Sequence, residues 1–197
     1  MRFLPASLLA LVLVGCSSVS QVARTDFQVE PWTLATTDGG VLSSESFKGR
    51  AGAIVWLDPT CGDVQDAAAW EGALRLLETR WMEDTNKVWI VYAASRKSSD
   101  PSYMDAMMWR AWLKEQKLRG IVILDTNGVL AKQFGVKRVP NASIVDRSGV
   151  VRWSGAAEYA DDVFGEPDVS IALDSLVHGR PVPPVRTSPV RGCPLAN

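Results

Sequence analysis

Apolar and polar positions alternate along this chain in a pattern that marks its elements in turn. Ala51 to Leu57 (AGAIVWL) is a short unbroken apolar run, which predicts a strand buried on both faces. Asp58-Pro59-Thr60 breaks it. Ala67, Trp70, Leu74, Leu77 and Trp81 then recur at spacings of three and four, predicting a helix that begins near Cys61. Thr60 with Asp63 fits a capping box at its start. Val88 to Ala94 predicts a second buried strand. Met104, Met108, Ala111 and Trp112 mark a helix between Pro101 and Gly120. Ile121 to Leu124 is a third strand and Val129 to Phe134 a short helix. Ala142 to Val145 and Val150 to Trp153 flank Asp146-Arg147-Ser148-Gly149 and predict an antiparallel hairpin. Val169 to Val177 is a last helix. Upstream, Phe27 to Leu34 predicts an extended segment, with a turn after it at Asp38-Gly39-Gly40. Alternating strands and helices that end in a hairpin imply an α/β domain, a central mixed β-sheet flanked by helices on both faces.

Both ends depart from this pattern. Phe3 to Val14 is apolar with Arg2 as the only preceding charge, too short to span a bilayer and shaped like a secretory signal. Its end, Leu13-Val14-Gly15-Cys16, resembles the lipobox of bacterial lipoproteins. That resemblance implies cleavage before Cys16 and lipid on its sulfur. Ser17 and Ser18 stand where Asp would retain such a protein, which implies the outer membrane, facing the periplasm, in a host with two membranes. At the other end, residues 179–197 hold five of the eleven prolines and no helical period, so an extended polyproline tail is expected. The fifteen residues from His178 to Cys193 reach at most about 45 Å at polyproline rise. A domain of this size has a radius of gyration near ~15 Å, so Cys193 can approach almost any surface point, Cys61 included. The expected organisation is a signal over 1–15, a tether over 16–26, one domain over 27–178 and the tail over 179–197.

Composition narrows the function classes. The 197 residues carry 21 basic and 22 acidic side chains, net −1, so no basic field exists to hold nucleic acid. One histidine, His178, excludes His-rich metal cages and reads as a polar residue at a helix C-terminus. The eight tryptophans point to a core of large rings, and Trp56 is close enough in sequence to shield Cys61. Asn141-Ala142-Ser143 matches a glycosylation sequon but falls on a predicted strand. With Cys16 set aside, Cys61 and Cys193 are the remaining thiols; in an oxidising compartment two such cysteines either pair or do redox work. Cys61 stands where a strand ends and a helix is expected. Free N–H groups there favour a thiolate, while Asp58 and Asp63 oppose it.

WLDPTCGDV after a buried strand resembles the active-site turn of the thioredoxin superfamily, and VPNASIVDRSGVVRWSG resembles its later segment. The ending from Ala172 to Asn197 is similar to that of a bacterial redoxin-domain group related to peroxiredoxins. The resemblance covers residues 27 to 195 and implies a thioredoxin-like fold, with Pro140 as a cis-proline facing the active-site sulfur. Thr60, Val139 and Pro140 would then border a substrate. Departures from these patterns narrow the implied chemistry. Val64 stands where a thioredoxin has its second cysteine, which excludes a dithiol within one turn. Asp58 and Ile54 occupy the Thr and Pro positions of peroxiredoxins. Gln65 occupies the second cysteine position of copper-handling relatives. Arg138 and Arg152 are both candidates for an arginine that stabilises the thiolate.

Two readings stay open. In one, Cys61 attacks a disulfide or peroxide, Cys193 resolves the product, and an outside thiol electron donor resets the pair, with Thr60 as the local hydroxyl for a peroxide. In the other, the chain is a non-catalytic envelope lipoprotein that binds a partner, with a permanent Cys61–Cys193 disulfide. Closing a loop of more than a hundred residues contributes on the order of 4–5 kcal/mol in the chain-entropy model. Neither reading calls for a metal or an organic cofactor.

Overall fold

The computed structural model describes residues 25–61, 74–75, 77–81, 88–156, 168–184 and 193–195. The strands are β1 (Phe27–Gln28), β2 (Thr33–Ala35), β3 (Val41–Ser43), β4 (Ala51–Trp56), β5 (Val88–Ala94), β6 (Ile121–Leu124), β7 (Arg138–Val139), β8 (Asn141–Val145), β9 (Val150–Ala156) and β10 (Cys193–Pro194). The helices are α1 (described at 74–75 and 77–81), α2 (Ala106–Glu115), α3 (Val129–Gln133) and α4 (Asp168–Val177). A 3-10 turn covers Ser44–Phe47.

Six strands form the central sheet in the order β1-β9-β8-β4-β5-β6. β4, β5 and β6 run parallel, whereas β8 pairs antiparallel with β4 and β9 with β8. All six residues of β4 are buried, as its unbroken apolar run predicts for a central strand covered on both faces. Strand alternation sends Ala53 and Val55 to one face with Leu74, Leu77, Trp109, Leu113 and Leu173. It sends Ile54 and Trp56 to the other with Phe47, Leu130, Phe134 and Val139. The first face is roofed by α1, α2 and α4, the second by α3, the 3-10 turn and the β2–β3 hairpin. Helices on both faces of a mixed sheet agree with the architecture read from the sequence.

The buried carboxylates Glu78 and Asp146 have partners. Glu78 on α1 is 2% exposed, and its carboxylate accepts from the Tyr92 hydroxyl at 2.7 Å and from the Arg119 and Gly120 N–H groups, both at 2.7 Å. Burial and the Glu78 carboxylate push the Tyr92 phenol well above its usual range. The β8–β9 turn is closed by Asp146, whose carboxylate accepts from Ser148 and Val150, while Gly149 adopts φ +84° as the turn requires.

Two expectations need correction. Phe27 to Leu34 is not one extended segment: β1 joins the central sheet through β9, while β2 pairs with β3 in a separate hairpin. The break lies at 29–32, which include Pro31, and proline cannot donate to a ladder. On α2 the buried residues are Trp109 and Leu113; Met104 precedes the helix and Met108 is 47% exposed. Asp105 caps the start of the helix, accepting from the Met107 and Met108 N–H groups at 2.8 Å. In the tail, residues 193–194 form a strand and residues 181–184 carry no helix or strand. The signal and lipidation segment, the start of α1 with its Thr60–Asp63 box, and most of the proline tail lie outside the described residues.

Candidate active site

The site is built by register. β8 runs antiparallel to β4 with Trp56 opposite Asn141, so the turn after β4 lies beside the residues just before β8. Those residues are Arg138, Val139 and Pro140, with a cis peptide bond between Val139 and Pro140. β10 adds to this edge antiparallel, with Cys193 opposite Val139 and Pro194 opposite Arg138. The Leu195 N–H donates to the Lys137 carbonyl at 3.0 Å and extends the ladder by one bond. Cys61 ends the turn after β4, and the ribbon brings Cys193 to it beside Val139. The two are joined in a disulfide with Cα atoms 5.8 Å apart, across 132 positions of sequence.

Cys61 is 1% exposed, Val139 0%, and Pro140 is buried. Cys193 is half-buried and Pro194 exposed. Cys193 and Leu195 both pack against the second core cluster, which includes Val139. The ring of Trp56 belongs to the same cluster and stacks at 5.1 Å on Phe134.

Within the turn, the Cys61 N–H donates to the Asp58 carbonyl at 2.9 Å. The Asp58 carboxylate, 5% exposed, accepts from the Thr60 N–H at 3.0 Å and from the Thr60 hydroxyl at 2.6 Å. Thr60 is exposed beside Cys61, but its proton is directed at Asp58 rather than at the sulfur's surroundings. The second Asp58 oxygen is held by Arg96, which leaves β5 at the same end of the sheet. Arg96 also donates to Asp100 at 2.9 Å. These carboxylates, Asp58 first, raise the Arg96 guanidinium above its usual value. The Ser102 N–H, and then Arg96, hold Asp100 below the usual carboxylate range.

Of the two carboxylates expected to oppose a thiolate at Cys61, Asp63 lies outside the described residues and Asp58 is paired with Arg96. Asp58 alone would oppose a thiolate; Arg96 balances it. Neither arginine named from the sequence takes that role for Asp58. Arg152 binds Asp146 at 2.7 Å and Asp26 at 2.9 Å on the β9 hairpin, and Arg138 lies on β7 with its Cα partner Pro194. Arg96 lies 38 positions from Asp58, and only the parallel pairing of β4 with β5 brings them together. No local pattern in the sequence marks this pair; the need for a cation follows from the burial of Asp58.

Neighbouring groups at this end of the sheet are structural. Asp125, after β6, accepts from the Leu130 and Ala131 N–H groups at 3.1 and 2.8 Å and from the Ser95 hydroxyl at 3.3 Å. Burial pushes its carboxyl up despite these bonds. His178 comes just after α4 and sits 2.9 Å from the Asp174 carbonyl, as a residue at a helix C-terminus. Asn141 is 1% exposed within β8, so its sequon is no surface acceptor. A cavity of about 230 Å³ lined by Val29, Trp32, Phe47, Ile54, Phe134 and Val145 contains neither sulfur. Among the described residues no group of three or more His, Cys, Asp or Glu side chains is placed to hold a metal ion, and no helix is long and apolar enough to cross a membrane.

Solved structures share this fold. An uncharacterized conserved protein from Geobacillus kaustophilus matches with a TM-score of 0.72 at 23% identity, over 88% of this chain and 92% of its own. A secreted disulfide oxidoreductase from Mycobacterium tuberculosis matches at 0.54 and 15% identity, over 74% and 96%. The thioredoxin domain of a thiol-disulfide oxidoreductase from Bacteroides vulgatus matches at 0.54 and 15%, over 72% and 93%. No family model and no curated protein matches the chain. The fold is thioredoxin-like: a central mixed sheet with helices on both faces and a cis-proline before β8.

Proposed function

We propose that this protein is a thiol-based oxidoreductase of the cell envelope. The observation that carries the reading is the joining of Cys61 to Cys193 at the carboxyl end of β4, on the backbone edge of Val139-Pro140. The carboxyl ends of parallel strands are where α/β sheets place their chemistry. In the reduced protein, the Cys61 thiolate attacks one sulfur of a substrate disulfide, or the outer oxygen of a peroxide. Cys193 then attacks the sulfur of Cys61 in the mixed disulfide or sulfenic acid. It forms the bond seen here and releases the substrate thiol or water. An outside thiol donor takes the oxidising equivalents away. Thr60, Val139 and Pro140 border the reacting sulfur and contact the substrate. The assignment to a peroxiredoxin-related redoxin subtype rests on the Gly-Cys ending of the tail.

The lipobox at Cys16 and the serines after it support export, lipid attachment and the periplasmic face of an outer membrane. The thiol chemistry of the structural neighbours from Mycobacterium tuberculosis and Bacteroides vulgatus, the first of them secreted, supports the same direction. In this reading residues 1–15 are removed, 16–26 tether the domain, and 179–197 carry the resolving sulfur to it.

The test is turnover with a dithiol donor and, in turn, a peptide disulfide or hydrogen peroxide. Cys61→Ser should abolish consumption; an unchanged rate overturns the proposal. The reduction potential of the pair gives a second test. A value below about −300 mV marks a bond that the thiol pool cannot open and supports the partner-binding reading instead.

A further inference from the structure

Building on the exchange reading, we infer that the thiol donor is captured by Cys193 and not by Cys61, so that the tail cysteine is the point where reducing equivalents come in. A thiolate displaces one sulfur of a disulfide along the line of the S–S bond, approaching from behind the sulfur it attacks. Attack on Cys61 therefore requires a path on the side of Cys61 away from Cys193. That residue is 1% exposed in a turn closed by its own N–H bond to Asp58. Attack on Cys193 requires a path on the tail side. There Cys193 is half-buried, its neighbour Pro194 is exposed, and the ribbon that holds it is two residues wide.

The step balances without any further reagent. The donor thiolate bonds to the Cys193 sulfur, and the S–S bond pair leaves on Cys61 as thiolate. A second thiol of the donor then attacks the donor sulfur of that mixed disulfide and releases Cys193 as thiolate. The donor, a dithiol, ends as a disulfide, and the Cys61–Cys193 pair has gained two electrons. The geometry also divides the labour between the two sulfurs. Cys61 is fixed by the core on the end of β4. Cys193 sits on a ribbon held, besides the disulfide, by the pairings at Val139 and Arg138, the Leu195 bond to Lys137 and the packing of Cys193 and Leu195 on the second core cluster. Displacement of Cys61 leaves the donor attached to this lightly held segment, while the Cys61 thiolate stays with the folded domain.

The experiment uses the oxidised full chain, glutathione as a monothiol probe, and iodoacetamide to cap any freed thiolate. Acid quenching before the first turnover is complete preserves the adducts, and peptide mass mapping locates them. The expected result is glutathione on Cys193 and the acetamide cap on Cys61, with about a tenfold excess over the reverse pattern, since access decides which sulfur is attacked. Glutathione on Cys61, or in equal amounts on both, overturns the inference and leaves exchange itself standing. A disulfide that stays intact and takes up no probe at millimolar glutathione overturns both.

Discussion

Replacing Cys193 by serine opens a covalent loop that spans 132 positions and encloses most of the domain, and the cost can be worked from that length. In the chain-entropy model a cross-link restricts the denatured ensemble by an amount that grows with the logarithm of the loop, which gives about 5 kcal/mol here. The folded state loses little, because the described contacts of residues 193–195 are one two-residue ladder, a bond to Lys137 and the packing of Cys193 and Leu195 on the second core cluster. Domains of this kind have only about 5–15 kcal/mol in total, so the loss is a large share of their stability. Urea denaturation of the oxidised chain and of Cys193→Ser measures it. The midpoint should fall, and the m-value should rise, because an uncrosslinked denatured chain is more open and exposes more surface. A difference under ~1 kcal/mol with an unchanged m-value would refute the argument that the bond acts through the denatured chain.

Arg96→Ala leaves the Asp58 carboxylate, 5% exposed, without its cation, and should cost about 2–3 kcal/mol in denaturation. Adding Asp58→Asn should recover part of that loss; a purely additive double variant would show that the two side chains do not act together. Gly52→Ala would place a Cβ 2.3 Å from the Phe47 ring and 3.2 Å from the Trp89 carbonyl, for a cost of about 1–3 kcal/mol. Stability near that of the native chain would mean that the 3-10 turn carrying Phe47 can move away freely. On the acid side three carboxylates among the described residues lie below their ordinary range. Asp38 is held there by the Thr36 hydroxyl and the Gly40 N–H, and Asp100 by the Ser102 N–H and Arg96. At Asp146 burial pulls upward, but the Ser148 and Val150 bonds and Arg152 outweigh it. Depressed folded values mean a contribution that is present above about pH 4, the unfolded carboxylate value, and is lost as pH falls through the folded ones. Asp125, raised by burial, runs the other way: its contribution is present at low pH and lost as pH rises. Urea midpoints between pH 2.5 and 6 should therefore fall toward acid, and Asp146→Asn should flatten the slope.

Most of the sheet was readable from hydrophobic period alone. Ile121–Leu124 begins and ends where its apolar run does, and the β8–β9 hairpin lies around the Asp-Arg-Ser-Gly turn, because both signals are local. The phase of α2 was not, since the face that Met104 and Met108 outline competes with one set by Trp109 and Leu113. It is resolved by the packing of Trp109 and Leu113 in the first core cluster. β10 left no trace in the pattern. Two residues, one of them proline, carry no period, and the ladder exists because Val139 offers a backbone edge fifty-four positions away. The two sulfurs were countable, and the cis bond at Pro140 came from resemblance. The Asp58–Arg96 pair was invisible because it depends on the parallel register of β4 and β5.

The bond between residues 61 and 193 also closes the chain into a covalent ring that takes in β5 through β9. A single protease cut at any peptide bond inside that ring releases no fragment. Both pieces stay joined and migrate as one molecule until a reductant is added, so a nicked population would pass unnoticed on a non-reducing gel.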